Sequence, residues 1–319
     1  GVGQIENYSD IYPFRVCKVQ EDEYDARIEN LYYETLLKAI SDLEAYGDNP
    51  EIVMLRDVAL SGTPEVTVSV SKNTSINLNG HRLSLAEGSF GVKQGVGLTI
   101  INGKLGNSFT LASGYNGTVV FDDSIDASET VSMSIGSHFA DIRGGRWSTA
   151  AWDCASDGAF SISGGVFAND PSGMVADGYR VFDNTDPETK GEFPYMVLHM
   201  EEAEAEIISG DTVKQYVSLK DALKDARTGD TVKLLKDIAT VSETLEANFN
   251  ITVNMDGHSI TGELDAPVLL IHDADVTVKN NGEITNISGS ATASAIGAAT
   301  SVKHTLSIKN GTFKGTNAI

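Results

Sequence analysis

Short runs in which apolar and polar residues alternate recur along much of the chain, as in SINLNG, GLTIING, GTVVFDD, FADIRGG and FSISGG. Alternation with a period of two is typical of half-buried β-strands. About 20 residues at roughly 3.3 Å each supply three short strands and their turns, which is one coil of a β-solenoid. The inward-facing residues Leu78, Ile100, Phe121, Ile142 and Ile162 follow each other at steps of 22, 21, 21 and 20 residues (100 − 78, 121 − 100, 142 − 121, 162 − 142), which predicts such coils.

Turn residues support the same interpretation. A glycine follows most of the anchor residues by two to four positions, and glycine reaches positive φ at little cost, so the chain can leave each strand at the same corner. The step from Val278 to Ile308 is longer (308 − 278 = 30), and the segment SGSATASAIGAAT between them predicts a protruding loop. The corner glycines are Gly80, Gly103, Gly145, Gly165, Gly257, Gly282 and Gly311.

Two segments carry the apolar spacing of an amphipathic helix instead. One lies near residues 31–46 and the other near residues 216–227. Ser218 and Asp221 have the spacing of a capping box at the start of the second. We expect each helix to pack on the core of its own part of the chain. The apolar stripes are formed by Tyr33, Leu36, Leu37 and Ile40, and by Tyr216, Leu219 and Leu223.

The order of these blocks is repeated. A strand, a helix, a strand ending in Asp and a turn ending in Gly-His occur twice at nearly one offset. The sequence therefore predicts two tandem modules, residues 1–191 and a shortened copy at 192–319, separated by the polar segment NTDPETKGE. Matched positions are Pro13 with Pro194 (194 − 13 = 181), Asp57 with Asp237 (237 − 57 = 180) and Gly80 with Gly257 (257 − 80 = 177).

Charge narrows the possible partners. The 319 residues carry 45 acidic and 23 basic side chains, a net charge of −22. Because such a chain repels phosphate backbones and anionic lipid, we expect neither nucleic acid nor a membrane surface as a partner. No apolar run approaches the roughly 18 residues of a membrane span. The chain opens on GVGQ without a signal peptide and stops at GTFKGTNAI within the repeat, so we expect a segment of a longer protein.

The two cysteines, Cys17 and Cys154, are far apart and show no CxxC spacing. This excludes the common zinc and thiol-redox motifs. A disulfide between them is compatible with export, but two buried free thiols are the favoured interpretation.

The motifs YVSLKDALKDARTGDTVKLLKDI, ITVNMDGHSITG and SISGGVFANDPSGMVADGYRVF resemble the pectin-lyase-like superfamily, in the version found in large surface proteins of Gram-positive gut bacteria. The resemblance implies an all-β, right-handed parallel β-helix. In that group the helix caps the open first coil, and the GGVF segment with PSGMVADGY ends the stack. It also implies an extracellular or cell-wall location.

Enzymes on this fold cluster carboxylates on neighbouring coils. The best match here is Asp122, Asp123 and Asp126, with Arg143 one coil later, and Asp153 and Asp157 lie in the loop that follows. Such residues suit acid–base hydrolysis of a sugar, or Ca²⁺ binding with Arg143 as the base of a lyase. However, one residue in seven of the chain is acidic, so an Asp-Asp pair at a turn is expected by chance. The favoured interpretation is therefore no catalytic site, no metal and no cofactor.

Aromatic residues offer a sugar-stacking alternative. Trp152 and Tyr115 lie in loops and are the candidate exposed binding residues, whereas Trp147 aligns with core positions after a Gly-Gly corner. His81 and His258 occupy matched turn positions in separate modules, so we expect structural roles for both.

Two classes of function remain open. The first is a non-catalytic surface module that binds glycan or a host protein, or that serves as a spacer. The alternative is a polysaccharide lyase or glycoside hydrolase at Asp122 and Asp123. A fibre protein of a phage or spore surface would differ by forming a trimer, and we expect a monomer.

Overall fold

The computed structural model describes residues 20–60, 66–85 and 88–317, without the side chains of residues 66–68 and 88–89. Pro13 and Cys17 therefore lie outside the described residues. The chain divides into two compact units, Gly1–Leu198 (unit 1) and His199–Ile319 (unit 2). Each is a mostly parallel β-solenoid with few helices. The described residues form six parallel coils in unit 1 and four in unit 2, which gives about ten turns.

The helices of unit 1 are short. Among the described residues of this unit, one α-helix, α1 (Leu36–Ser41), accompanies the 3-10 helices Glu21–Glu23, Leu43–Ala45 and Ser172–Met174. Its strands are β1 (Ala26–Ile28), β2 (Leu31–Tyr33), β3 (Glu51–Met54), β4 (Val58–Ala59), β5 (Val66–Val70), β6 (Thr74–Asn77), β7 (Arg82–Ser84), β8 (Gly88–Val92), β9 (Gly97–Ile101), β10 (Gly103–Leu105), β11 (Ser108–Thr110), β12 (Thr118–Phe121), β13 (Ile125–Ala127), β14 (Ser132–Ser134), β15 (Phe139–Ile142), β16 (Arg146–Trp147), β17 (Ala151–Asp153), β18 (Ala159–Ile162), β19 (Val166–Phe167), β20 (Tyr179–Asp183) and β21 (Tyr195–His199).

These strands form three faces around one core. Sheet A has the order β18-β15-β12-β9-β6-β3-β1-β2, and sheet B has the order β20-β21-β19-β16-β13-β10-β7-β4. The third face consists of β5-β8 and β11-β14-β17, joined by a bridge between Phe90 and Leu111. Along sheets A and B the coils pair in parallel, and antiparallel strands occur only at the ends of the stacks in the described residues.

The inward ladder of sheet A confirms the predicted coil with one correction. The paired residues are Ile76, Ile100, Phe121, Ile142 and Ile162, all fully buried. The predicted anchor Leu78 is also buried, but it lies in the turn after β6 and not in this ladder. The early coils are therefore longer than predicted, at 24 residues (100 − 76).

Aromatic rings fill the interior of unit 1. Phe121 packs edge-to-face against Phe109 and Trp147, with ring centroids 5.4 and 5.5 Å apart. The Trp147 Nε1–H donates to the carbonyl of Gly144 at 2.7 Å, so the indole is buried without an unsatisfied polar atom. The prediction that Trp147 belongs to the core is confirmed, since none of its surface is exposed.

The helix α1 is shorter than its sequence pattern predicts. Tyr33 is buried, but it belongs to β2, which pairs with β1 in an antiparallel hairpin. The helix begins after Thr35, whose Oγ1 accepts from the N–H of Lys38 at 3.2 Å, as an N-cap should. Its buried residues are Leu36, Ala39 and Ile40.

Up to residue 317, unit 2 contains one α-helix, α2 (Leu219–Asp225), and the 3-10 helix Met200–Glu202. Its strands are β22 (Ala205–Ser209), β23 (Thr212–Tyr216), β24 (Thr231–Leu234), β25 (Ile238–Val241), β26 (Leu245–Ala247), β27 (Ile251–Asn254), β28 (Ser259–Gly262), β29 (Leu269–His272), β30 (Val276–Asn286), β31 (Ile296–Ala299) and β32 (Leu306–Lys314).

Two sheets of unit 2 surround its core. One has the order β23-β22-β24-β27-β30-β28-β25, with β32 paired to β30, and the other has the order β26-β29-β31. The prediction that SGSATASAIGAAT forms a protruding loop is wrong in part. Its residues Ile296–Ala299 form β31 in parallel register with β29, and Ala293, Ala295 and Ile296 are buried. The long step between Val278 and Ile308 therefore contains a third strand of the coil.

The predicted capping box of the second helix is also wrong. The Ser218 side chain makes no capping hydrogen bond, and Tyr216 belongs to β23. Instead, the carboxylate of Glu204 accepts from the N–H of Leu219 at 2.8 Å. A carboxylate at this position satisfies a free N–H and faces the positive end of the helix dipole. In unit 1, Asp25 does the same for Leu36 at 3.1 Å.

Two further sequence interpretations need correction. The polar segment at residues 184–192 is a hydrogen-bonded loop of unit 1 between β20 and β21, in which the buried Asn184 donates to the carbonyl of Phe193 at 2.8 Å. The division of the chain accordingly falls after Leu198. Cys154 is a free but exposed thiol, not a buried one. No helix among the described residues is long and apolar enough to cross a membrane.

Candidate functional site

The candidate carboxylates lie at one corner of unit 1, where the chain leaves sheet A. Phe121 pairs with Ile142, so Asp122 and Arg143 follow them on adjacent coils. The Asp122 Oδ1 accepts from both the N–H and the hydroxyl of Ser124. The Ser124 Oγ in turn accepts from the N–H of Asn102 on the preceding coil at 2.6 Å. Asp122 therefore stabilises the turn directly, and through Ser124 it links this turn to the preceding coil.

Arg143 is directed to a different carboxylate. Its Nε donates to Asp141 at 2.8 Å, on the outer side of sheet A. In the part of the chain that the structure describes, no ion pair joins Arg143 to Asp122 or Asp123. The structure thus places the three residues close along the stack but does not bring their charged groups into contact.

A second Asp–Arg pair lies on the outer side of sheet B. Arg146 donates to Asp126 of the adjacent coil at 2.7 Å, and the N–H of Ser128 donates to the same carboxylate at 3.1 Å. Partial burial would raise the pKa of Asp126, but the bonds from Ser128 and the charge of Arg146 lower it below its ordinary value. Among the residues described, no group of three or more His, Cys, Asp or Glu is arranged to hold a metal ion.

Trp152 lies in the third face, in register with the buried residues Met133 and Phe109. Its ring is half-buried and packs on Trp147 and Phe160, with centroids 5.9 and 5.1 Å away. The indole N–H donates to the carbonyl of Thr149 at 3.1 Å. One part of the ring is accessible, but most of its contacts are with the core.

Tyr115 is half-buried over a histidine that the sequence analysis did not single out. Its ring stacks on that of His138 at 6.4 Å and covers Gly91, where an added Cβ would lie 2.4 Å from the tyrosine ring. His138 is fully buried. Its Nε2 accepts from the N–H of Val92 at 3.0 Å, and its Nδ1 lies 2.8 Å from the carbonyl of Ile135. These partners require a neutral imidazole with the proton on Nδ1.

The matched histidines each stand beside the matched aspartate of their own unit. The distance from Nδ1 to Oδ1 is 3.5 Å both for His81 with Asp57 and for His258 with Asp237. Each aspartate also accepts from a backbone N–H of the next coil, that of Arg82 or Ser259. The pair therefore fastens one turn to the next, as expected of a structural role.

A polar hollow of about 350 Å³ lies on the outer side of sheet A at the first coils of unit 1. Amide and hydroxyl side chains dominate its lining. The Asn73 Oδ1 accepts from the N–H of Gly97 at 2.8 Å, which fixes that amide. The hydroxyls of Ser75 and Thr99 have no hydrogen bond within the described part of the chain, so they are available to a ligand. The lining residues are Asn49, Asn73, Thr74, Ser75, Gly97 and Thr99.

The hollow has no signature in the sequence because its residues come from three coils. Alternation does predict that Ser75 and Thr99 face outward from their strands, and they pair directly in register. Asn49 precedes β3 and reaches the same place only through the 24-residue coil that separates Asn49 from Asn73 (73 − 49). No local sequence motif therefore predicts that Asn49 lines the hollow.

Comparisons with known proteins give no match: no family model, no curated protein and no solved structure matches this chain. The class of the protein is therefore defined by its own geometry, as a mostly parallel β-solenoid of about ten turns.

Proposed function

We propose that this chain is a non-catalytic, extracellular β-solenoid module that binds glycan on the outer side of sheet A. The observation that carries the proposal is the hollow at Ser75 and Thr99. Its volume lies at the lower end of the range of small-molecule sites. Its free hydroxyls and fixed amide suit the hydroxyl groups of a neutral sugar.

Support for a binding role over catalysis comes from the corner at Asp122. Asp122 is engaged by Ser124, and Arg143 is engaged by Asp141. A hydrolase needs one carboxyl group free as acid and another free as base or nucleophile, and a lyase of the predicted type needs an arginine that can take a proton from the substrate. The lyase or hydrolase alternative therefore has less support.

We also propose that the two units are copies of one module of the pectin-lyase-like, right-handed type, each with a helix that covers the start of its core. Matched close approaches support the copy relation. An added Cβ at Gly103 would lie 2.3 Å from the Cβ of Leu78, and one at Gly282 would lie 2.2 Å from that of Met255. The right hand follows the strong preference of parallel β crossovers.

A glycan array followed by calorimetry tests the binding role. Removing both free hydroxyls with Ser75→Ala and Thr99→Ala should weaken binding of an array hit about 30-fold, since each lost hydrogen bond is worth about 1 kcal/mol. Ser108→Ala with Ser132→Ala, on the third face, is the matched control and should leave affinity unchanged. Equal loss in both double variants would refute the hollow as the site.

A blank array would remove the glycan and leave a host protein or a spacer as the role. The enzymatic alternative has its own measurement. If polygalacturonate or another polysaccharide is cleaved, and Asp122→Asn with Asp123→Asn abolishes the cleavage, the non-catalytic proposal is wrong.

A further inference from the structure

The inner coils of unit 2 repeat a polar arrangement that lines the hollow of unit 1. Asn250 directly precedes β27, and its Oδ1 accepts from the N–H of Asp275 on the next coil at 2.8 Å. In unit 1, Asn73 directly precedes β6, and its Oδ1 accepts from the N–H of Gly97 at 2.8 Å. Each amide is therefore held in one orientation by the coil that follows it.

Two hydroxyl side chains accompany the amide in each unit. Thr252 and Thr277 pair in register on β27 and β30, as Ser75 and Thr99 do on β6 and β9. All four are half-buried, and each alternates with buried residues of its strand, so all four lie on the outer side of their sheet. Within the described part of the chain, neither the hydroxyls of Thr252 and Thr277 nor the amide nitrogen of Asn250 has a hydrogen-bond partner.

These positions correspond to each other in the internal repeat of the sequence. The matched corner glycines Gly80 and Gly257 are offset by 177 residues (257 − 80). The amides and hydroxyls keep this offset to within one residue, although Ser75 and Gly97 are replaced by other residue types. The pairs are Asn73 with Asn250 (250 − 73 = 177), Ser75 with Thr252 (252 − 75 = 177) and Thr99 with Thr277 (277 − 99 = 178).

The fixed amide distinguishes this arrangement from an ordinary strand surface. Threonine is favoured on any half-exposed strand, so two hydroxyls in register alone would not indicate a site. Because the Oδ1 of Asn250 is engaged by the next coil, the amide N–H₂ group is left as a donor beside two hydroxyls, each of which can donate and accept. A sugar hydroxyl also donates and accepts, so the three groups complement it.

One difference enlarges the row of hydroxyls in unit 2. The residue that pairs with Thr252 on the preceding coil is Thr231, whereas in unit 1 Glu51 pairs with Ser75. The Glu51 carboxylate accepts from the amide of Asn77 at 3.3 Å, but the hydroxyl of Thr231 has no hydrogen bond among the residues that the structure describes. Unit 2 therefore presents three uncharged hydroxyls in register, about 4.8 Å apart as neighbouring strands are.

We propose that unit 2 carries a second site for a neutral sugar, formed by Asn250, Thr252 and Thr277 and extended by Thr231. The chain then binds two equivalents of one class of ligand, one on each unit. This inference rests on the glycan binding proposed for unit 1, whose polar groups it repeats. The ligand class is the same because the free groups, hydroxyls and an amide N–H₂, match the hydroxyls of an uncharged sugar.

Calorimetric titration of the full chain with a neutral glycan found on the array measures the number of sites. We expect two glycans bound per wild-type chain. Thr252→Ala with Thr277→Ala should raise the Kd of one site about 30-fold, because each lost hydrogen bond weakens binding about fivefold, and should leave one glycan bound at the original affinity. The matched control is Thr261→Ala with Thr285→Ala, a threonine pair in register on β28 and the C-terminal half of β30, which should leave both sites intact.

The double variant Ser75→Ala with Thr99→Ala separates this inference from the proposal for unit 1. If one glycan binds per chain and only that variant weakens it, unit 1 holds the site and the second site does not exist. If one glycan binds and only the Thr252 and Thr277 variant weakens it, the site in unit 2 is supported and the one in unit 1 is refuted. Equal weakening in the control variant overturns the second site, and a folded chain that binds no neutral glycan overturns both.

Discussion

At the scale of single residues, His138 shows how the interior of unit 1 accommodates a titratable group. The ring is fully buried, and both of its nitrogens are satisfied by backbone groups of its own coil and of the coil of Val92. Burial lowers the pKa of His138 below its usual value, because the charged form would lose its hydration. The residue therefore contributes to stability only as long as it stays neutral.

The pH dependence follows from the direction of that shift. In the unfolded chain His138 takes up a proton near pH 6.5, whereas the folded protein resists it until a lower pH. The free energy of unfolding should be independent of this group well above pH 6.5 and should fall as the pH drops through and below 6.5, because the unfolded chain then binds a proton that the folded protein does not. Urea unfolding at pH 7.5, 6.5 and 5.5 measures this fall.

His138→Gln should remove that part of the acid sensitivity, whatever its effect at pH 7.5, because glutamine does not titrate. His199→Gln, at a partly exposed position, is the control and should not reduce the acid sensitivity. If His138→Gln loses as much stability between pH 6.5 and 5.5 as the wild type, the buried histidine is not the responsible group.

At the scale of elements, the two short helices differ in how their first turns are satisfied. In α1 the hydroxyl of Thr35 accepts from the N–H of Lys38, and Asp25 accepts from that of Leu36. In α2 only the external carboxylate, that of Glu204, has this role, since Ser218 makes no capping bond. The N-cap side chain therefore stabilises the helix in unit 1 but not in unit 2.

This difference predicts unequal effects of one substitution. Thr35→Ala should destabilise α1 by about 1 kcal/mol, the usual cost of a lost N-cap. Ser218→Ala should cost less than about 0.5 kcal/mol, as for a surface residue without a special contact. Hydrogen exchange of the amides in each helix measures both changes locally, and equal effects would contradict the assignment.

The elements that could be predicted are those whose pattern is local. Alternation identified the strands of sheet A around Ile100, Phe121, Ile142 and Ile162 because each inward residue repeats at nearly one step. The helices were predicted too long because Tyr33 and Tyr216 match the helical spacing, yet each is buried by a hairpin that pairs with distant β3 or β24. Tertiary pairing therefore overrides the local pattern at these two residues.

The corner at Asp122 shows the limit for sites. The sequence places Asp122 and Arg143 one coil apart, and that spacing is correct. The spacing does not specify the hydrogen-bond partner of each charged group. Asp122 bonds to Ser124 and Arg143 bonds to Asp141, and each of these partners lies only two positions away along the chain. Side-chain partners in a solenoid depend on geometry at a corner, whereas the coil depends on periodicity.

The binding role of Trp152 and Tyr115 stays a prediction.

At the scale of the whole molecule, the excess of acidic residues opposes folding. The acidic side chains behind the net charge of −22 repel each other in the folded chain, while exposed ion pairs such as Lys220 with Glu243 each contribute little to stability. Salt that screens the repulsion should therefore stabilise the fold, because the repulsive pairs outnumber the attractive ones.

We expect the thermal midpoint of unfolding to rise between 10 and 150 mM NaCl at pH 7, where the Debye length shortens from about 30 to 8 Å. The same step at pH 5 should raise it less, since protonation has begun to neutralise carboxylates. Differential scanning calorimetry measures both. A midpoint that falls with salt at pH 7 would show that the ion pairs outweigh the repulsion.

Because neighbouring coils are also neighbours in sequence, the chain can fold coil by coil from its N-terminal side. None of the strand pairs in the described residues joins positions more than 30 apart, the longest being Val166 with Met196 (196 − 166) and Thr277 with Ser307 (307 − 277). Each coil can therefore form as soon as the next few dozen residues exist, on a template already in place. A chain that emerges gradually, from a ribosome or an export channel, can wind itself up one turn at a time without waiting for its end.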